Sequence, residues 1–337
     1  MPFVEELGSG LAQSLWATLA NGTLVVGATW LLAATVFRRS PAWVQAGLWT
    51  LAVIKFVIPC GPSLDFSVSR GLQMAYLNAV DGGINGWLAS RPGIIWVGLG
   101  AIYLVVLSVM AARRVSGHRR LLAWARTQPL PPPEILDEVA AAAASLGMWR
   151  LPEVRVTSAP VSPMIVVALR PILVLPDWLD PAARPSILHH ELAHLRRRDH
   201  WLLAAAALFS LIFFYWPPAR WAVARFRRAL EGACDAWAVR RGALNPRTYA
   251  RTLFLTARKV VAARRPELAL AICDPPGLEG RIDALLRPPA SPMLASALAM
   301  GMGVWGVCAL AGAKCMPLPD CPIARAVVDH PCHDHEP

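Results

Sequence analysis

Charge is what this sequence has least of. Only 16% of its 337 residues are charged and 55% are apolar, with a mean hydropathy of +0.43, whereas about a quarter of an ordinary soluble domain is charged. That balance excludes an ordinary cytosolic globule. Cysteine is sparse and odd in number, seven residues with no pair at zinc-ribbon spacing, which excludes a disulfide scaffold and a cysteine-based structural zinc site. Within the central residues 113–290 there is no internal repeat and no GxGxxG or P-loop pattern to cradle nucleotide phosphates. The opening MPFVEELGSG holds two glutamates and no basic residue. It lacks the basic start of a secretory signal, so the first apolar segment is expected to stay in the mature protein.

The charge that is present is unevenly placed. Lys and Arg number 33 against 22 Asp and Glu, and residues 113–290 hold 26 of the former and 14 of the latter. One basic block therefore sits between nearly neutral, apolar flanks. Crossing the roughly 30 Å hydrocarbon core takes about 20 apolar residues. Stretches at about 13 to 37, 42 to 60 and 93 to 112 qualify, as does a fourth within 291–313. Arg38 and Arg39 follow the first stretch and Arg113 and Arg114 the third. The positive-inside rule then puts the N-terminus outside, residues 113–290 in the cytoplasm and the tail 314–337 outside. A basic block facing an anionic leaflet accounts for the excess charge without direct nucleic-acid binding, and makes membrane lipid a partner. Lys55, inside the second stretch, is expected to snorkel to the outer interface near Cys60.

Within the block, residues 121–133 read as a linker ending in PLPPP, and EILDEVAAAAASLGM as a helix closed by Gly147. EVRVTS (153–158), MIVVAL (164–169) and ILVLP (172–176) read as strands. A helix is expected from about Pro181, with Asp180 as N-cap, through ILHHELAHLRRRDH to His200. The block is α+β.

His190-Glu191-Leu192-Ala193-His194 is an H-E-x-x-H on that helix. Four residues make slightly more than one turn, so both imidazoles leave one face and can share a Zn²⁺, with Glu191 beside the water as general base. The chance expectation of this pattern at this composition is about 0.006 per chain. Further on, in the helical stretch RFRRALEGACDAWAVRRG, Glu231 and Asp235 stand at i and i+4. Glu231 is the candidate third ligand, leaving the fourth position open. Asp235 can accept the N–H of a ligating imidazole. His189 and His200 fall off the ligand face, and Cys234 reads as a small buried residue. Trp201 to Trp216 is apolar but reaches only about 24 Å as a helix. A crossing there would also put Glu231 across the membrane from His190. The segment 201–216 is therefore expected to dip into or lie against the membrane and return at Pro217-Pro218, with Trp201, Tyr215, Trp216 and Trp221 at the interface. In the tail, Cys315, Cys321, His330, Cys332, His333 and His335 form either a soft-metal site or a disordered acidic segment with one disulfide.

With these elements in place the chain resembles the BlaR/MecR-type antirepressor membrane metallopeptidases of bacteria. The resemblance lies in the ordered set Ser162-Pro163, RPILVLP (170–176), HHELAHLRRRDH (189–200), EGACD (231–235) and LEGRIDALL (278–286). It implies a multi-span α-helical membrane protein with an α+β zincin-like (gluzincin) cytoplasmic domain. It implies zinc ligands His190, His194 and Glu231, with Glu191 as general base and Asp235 behind them. By the same resemblance the enzyme is a zinc endopeptidase of the cytoplasmic membrane, cleaving a cytosolic BlaI/MecI-like repressor, or itself, on a signal, with room for a homodimer. Two features depart from the family. Val167 stands where glycine is common, and no serine has a lysine three residues on, so the penicillin-binding sensor with its S-x-x-K nucleophile is expected to be missing. The alternatives are an HtpX/Ste24-like membrane quality-control peptidase and a non-catalytic receptor that uses zinc only to hold its helices. A substrate strand is expected to pair with the edge formed by residues 164–169 or 172–176.

Overall fold

A long apolar run must satisfy its backbone internally, and each run here does so as a helix. The computed structural model describes residues 2–57, 93–263, 275–287 and 292–310. Helix α1 covers Pro2–Ala34, α2 Ala42–Val57 and α3 Gly93–Thr127. Then come α4 (Pro133–Ser145), β1 (Glu153–Thr157), β2 (Met164–Val166), β3 (Ile172–Pro176) and α5 (Arg184–Arg197). Helices α6 (Asp199–Ile212), α7 (Pro217–Arg241), α8 (Pro246–Ala263), α9 (Pro275–Leu286) and α10 (Pro292–Leu310) complete a mostly helical fold with a small sheet.

Among the described residues α3 alone is long and apolar enough to cross a membrane, over Ile95–Thr127. Its side chains at Ile102, Leu104 and Val105 are exposed, the reverse of a soluble protein's core helix. Shorter apolar stretches lie in α1, α2, α6 and α10. The expected third span ends late. Residues 121–127, read as linker, continue the helix because Leu122 and Ala125 pack on Val166, Ile172 and Val174 of the sheet; burying them stabilises the two extra turns. The first expected span stops at Ala34, before the turns at 35–39, and the second is helical to Val57. Cys60, the loop 61–91 and the Cys/His-rich tail lie outside the described residues.

Helix α2 touches α1, α7 and α10. Gly47 permits the last contact, since a Cβ there would overlap the side chain of Met302. Lys55 does not snorkel. It falls three and seven residues after Ala52 and Leu48 on the buried stripe of α2, is fully buried, and its Nζ has no hydrogen-bond partner among the described residues. Helices α6 and α7 form a hairpin laid along α2. Phe209 and Phe213 pack on Phe56, with ring centroids 5.7 and 5.5 Å away, while Gly232 lies against Ala42. Ala42 to Phe56 is about 21 Å of helix. The hairpin's tip is tied down by Trp216 Nε1 donating to Thr23 Oγ1 (2.9 Å) and Tyr103 OH donating to the Ile212 carbonyl (2.9 Å).

The sheet has order β1-β3-β2, with β1 parallel and β2 antiparallel to β3. Strand β3 is paired on both sides over residues 172–174, so of the two expected edges β2 is the one with a side unpaired along its whole length among the described residues. That strand is shorter than expected, ending at Val166, because residues 167–171 must turn the chain back into β3 and Pro171 has no N–H for a ladder. One sheet face carries the end of α3. The other, through Leu173 and Leu175, packs on Leu188 and Leu192 of α5 and on α4.

Candidate metal centre

Helix α5 starts at Arg184, later than expected. Asp180 caps only the turn before it, its Oδ1 accepting from the Ala182 amide at 2.9 Å. The helix also ends early. Instead of running to His200 it stops at Arg197, and Arg198 adopts left-handed backbone angles (φ 61°, ψ 30°). That break turns Asp199 inward. It is 1% exposed, and its Oδ2 lies 3.0 Å from His194 Nδ1. The cost of a left-handed arginine, of order 1 kcal/mol or more, is offset by an acceptor for the partly buried His194 imidazole.

The two motif histidines converge. His190 Nε2 and His194 Nε2 stand 3.3 Å apart. Glu231, from α7, brings Oε2 within 3.6 Å of the first and Oε1 within 3.7 Å of the second. Donors about 2.0–2.1 Å from a tetrahedral metal lie roughly 3.3–3.4 Å from one another, so the triangle has the dimensions of a three-ligand site. On the outer side each imidazole has an acid. His190 Nδ1 lies 2.9 Å from Asp235 Oδ1 and 2.9 Å from Tyr249 OH, which itself donates to Asp235 at 2.8 Å. With a carboxylate oxygen beside Nδ1 of each ring, the two Nε2 atoms point inward, and the neutral tautomer with its proton on Nδ1 is the one a metal would need.

Arg281 of α9 closes the network, donating from Nε to Asp235 Oδ2 (2.7 Å) and from Nη2 to Oδ1 (2.8 Å), with Nη1 3.4 Å from Glu231 Oε2. Burial alone would lower the His190 pKa and raise those of Glu231 and Asp235. The ion pairing among them outweighs it, so His190 is held above its ordinary value and both carboxylates below theirs. Two ionised carboxylates, Asp235 buried and Glu231 partly exposed, around two imidazoles make a site built to hold positive charge. Glu191 behaves oppositely: burial raises its carboxyl above the usual range, although His190 and His194 pull it down.

Cys234 is a second candidate donor, since its sulfur and the two histidines offer ligand atoms within 4.8 Å of one another. Its thiol is fully buried, donates to the His190 carbonyl at 3.5 Å, and is pushed well above the usual thiol range by burial and by the carboxylates of Asp235, Glu231 and Asp199. A neutral thiol turned to a backbone carbonyl is a poor ligand. The carboxylate fits better.

His189 is structural. Its ring bridges Ser145 Oγ (3.0 Å) and the Pro185 carbonyl (2.6 Å), and a Cβ at Gly242 would run into it. Gly242 thus lets the end of α7 close on α5. His200 lies beside Trp201, 5.5 Å between ring centroids. Asp199, Tyr249 and Arg281 received no role from the sequence. Asp199 stands five residues beyond His194 in HHELAHLRRRDH and Arg281 within LEGRIDALL, so both lay inside recognisable segments, whereas nothing around Tyr249 marked it.

A model of the family described as BlaR1 peptidase M56 matches residues 13–285. No curated protein matches the chain.

Proposed function

The chain belongs to the BlaR1 peptidase M56 family, and from that premise we propose that it is a regulatory zinc endopeptidase of the bacterial cytoplasmic membrane that cleaves a cytosolic transcriptional repressor, and itself, when a signal arrives. The observation that carries the reading is the convergence of His190 Nε2, His194 Nε2 and the Glu231 carboxylate, with an acid behind each imidazole. Bound there, zinc would supply Lewis-acid polarisation of the scissile carbonyl and a water acidified to a pKa of about 7.

The protein's own residues do the rest. His190, His194 and Glu231 hold the ion. Asp235 and Asp199 keep Nδ1 of each ring protonated, and Arg281 keeps Asp235 and Glu231 ionised and in place. Glu191, on the same face of α5, takes the proton of the attacking water and delivers it to the leaving amine; a carboxyl raised by burial is the better matched to that exchange. The free edge of β2 offers backbone groups to an extended substrate segment.

For topology we take α1, α2, α3 and α10 as spans, with both termini outside and the metal centre on the cytoplasmic side. The α6–α7 hairpin enters alongside α2 and returns, so that both histidines and Glu231 stay on one side. Residues 1–112 then form the first three spans, 113–290 the gluzincin domain with 201–216 membrane-apposed, and 291–313 the fourth span.

The test is cleavage of the candidate repressor by the full chain in membranes. Chelation is expected to stop cleavage and added Zn²⁺ to restore it; cleavage that persists through chelation refutes the reading. Asp235→Asn, which keeps the shape but removes the charge behind His190, is expected to weaken zinc binding by about 10- to 100-fold, measured by chelator competition.

A further inference from the structure

We propose that the end of the sheet at which β1 and β3 begin is a lipid-contacting surface, resting on the anionic headgroups of the leaflet beneath it. The proposal rests on the reading of α3 as a membrane span. Register brings two connections together at this end. Glu153 pairs with Ile172, the Glu153 amide donates to the Pro171 carbonyl at 2.9 Å, and Val166 on the antiparallel strand also faces Ile172. Residues 149–152 and 167–171 are therefore neighbours. They expose Trp149 (98%), Leu151, Val167 and Leu169, the last completely, and between these Arg150 and Arg170 are exposed too. A lone exposed leucine means nothing. Four large apolar side chains and two guanidiniums on one end of a small sheet do.

Two chain directions turn this end toward the membrane. Helix α3 leaves its apolar stretch at Arg113, packs Leu122 and Ala125 on the sheet, and finishes beside the far end of β1. There the Gln128 carbonyl accepts from Arg155 and the Pro129 carbonyl from the Val156 amide, each at 3.0 Å. The strands thus run away from the apolar part of α3, and their beginnings face back to it. Helix α5 agrees: it returns over the sheet from the end of β3 and leads into α6, which lies beside the apolar helix α3 and packs Phe209 on Phe56 of α2.

The distances suit headgroup contact. Arg113 to Leu122 is nine residues, about 14 Å of helix. Leu169 is three residues from both Val166 and Ile172, so its loop can hang as much as about 10 Å below the sheet. At that reach it stands within about 4 Å of the level of Arg113, within the depth of a headgroup layer roughly 5–8 Å thick. Tryptophan, leucine and arginine are the side chains this layer favours, and anionic lipid complements the two guanidiniums. Docked so, the membrane sets the height of the free β2 edge, which ends at Val166 beside the patch.

The test places the photoreactive p-benzoyl-phenylalanine at Leu169, at Val105 in α3, or at Asp177 beyond the far end of β3, one site at a time, in the full chain in nanodiscs of phosphatidylethanolamine and phosphatidylglycerol. All three side chains are exposed, so the replacements leave the fold intact. Lipid adducts are expected at 105 and 169 and not at 177. The pair Arg150→Glu and Arg170→Glu, or replacement of phosphatidylglycerol by phosphatidylcholine, is expected to cut the yield at 169 several-fold and leave 105 unchanged. Adducts at 105 without any at 169, or protein adducts in place of lipid at 169, overturn the lipid surface and leave the span standing. No lipid adduct at 105 overturns the span itself.

Discussion

Glu191→Gln is expected to abolish cleavage while the protein still binds its metal. Glutamine keeps the volume and one carbonyl oxygen of the side chain but cannot accept and release a proton, and a general base contributes about 10²- to 10⁴-fold to rate. The three donors of the proposed site are His190, His194 and Glu231, and none of their distances involves Glu191. Metal content by atomic absorption should therefore match the wild type, while repressor cleavage in membranes falls by at least two orders of magnitude. A variant that cleaves at the wild-type rate removes Glu191 from the chemistry and favours a metal site that only holds helices together. A variant that loses its metal as well would place Glu191 among the ligands.

The second large effect separates the two possible third ligands. Glu231→Ala removes a carboxylate that stands 3.6 and 3.7 Å from the two imidazole nitrogens, and it leaves the nearby Arg281 guanidinium with less opposing charge. Zinc affinity is expected to collapse, by more than the roughly 10- to 100-fold expected for Asp235, which stands one step further from the ion. Cys234→Ser, by contrast, keeps a small buried hydrogen-bond donor to the His190 carbonyl and is expected to bind zinc as the wild type does. Cobalt substitution reads the same question by another route: a thiolate ligand gives an intense charge-transfer band in the near ultraviolet, and none is expected here. If Cys234→Ser loses the metal and Glu231→Ala keeps it, the site is His190, His194 and Cys234.

The helix-borne part of this site was legible along the chain because helical geometry is local. A step of four residues, from His190 to His194 or from Glu231 to Asp235, puts each pair on one face whatever the rest of the protein does, and β1, β3 and α7 lie close to where alternation and helical spacing placed them. What failed were the places where local preference met a distant partner. Residues 121–127 read as linker, yet the sheet's apolar face extends α3 through them. The run HHELAHLRRRDH reads as one unbroken helix, yet it breaks at Arg198 because the His194 imidazole takes Asp199 as its acceptor. Lys55 reads as a snorkelling side chain, yet the helix face it occupies is the one that packs.

By itself, then, the sequence determined that the chain is apolar and mostly helical, that it carries one basic block, and that two histidines and a glutamate share one face of α5 with a second acidic helix to follow. Each of these follows from composition or from spacings within about a turn. Only the tertiary structure decided that Glu231 reaches both imidazoles, that Asp199 and Asp235 stand behind one ring each, that Tyr249 and Arg281 bind Asp235, and that β2 and not β3 keeps a free edge. Apart from Asp199, five positions beyond His194, those facts join residues 14 to 46 positions apart or depend on strand order. Contacts of that kind are set by how whole helices and strands pack, a choice made by the summed burial of their apolar faces, of which no single stretch of sequence carries a local trace.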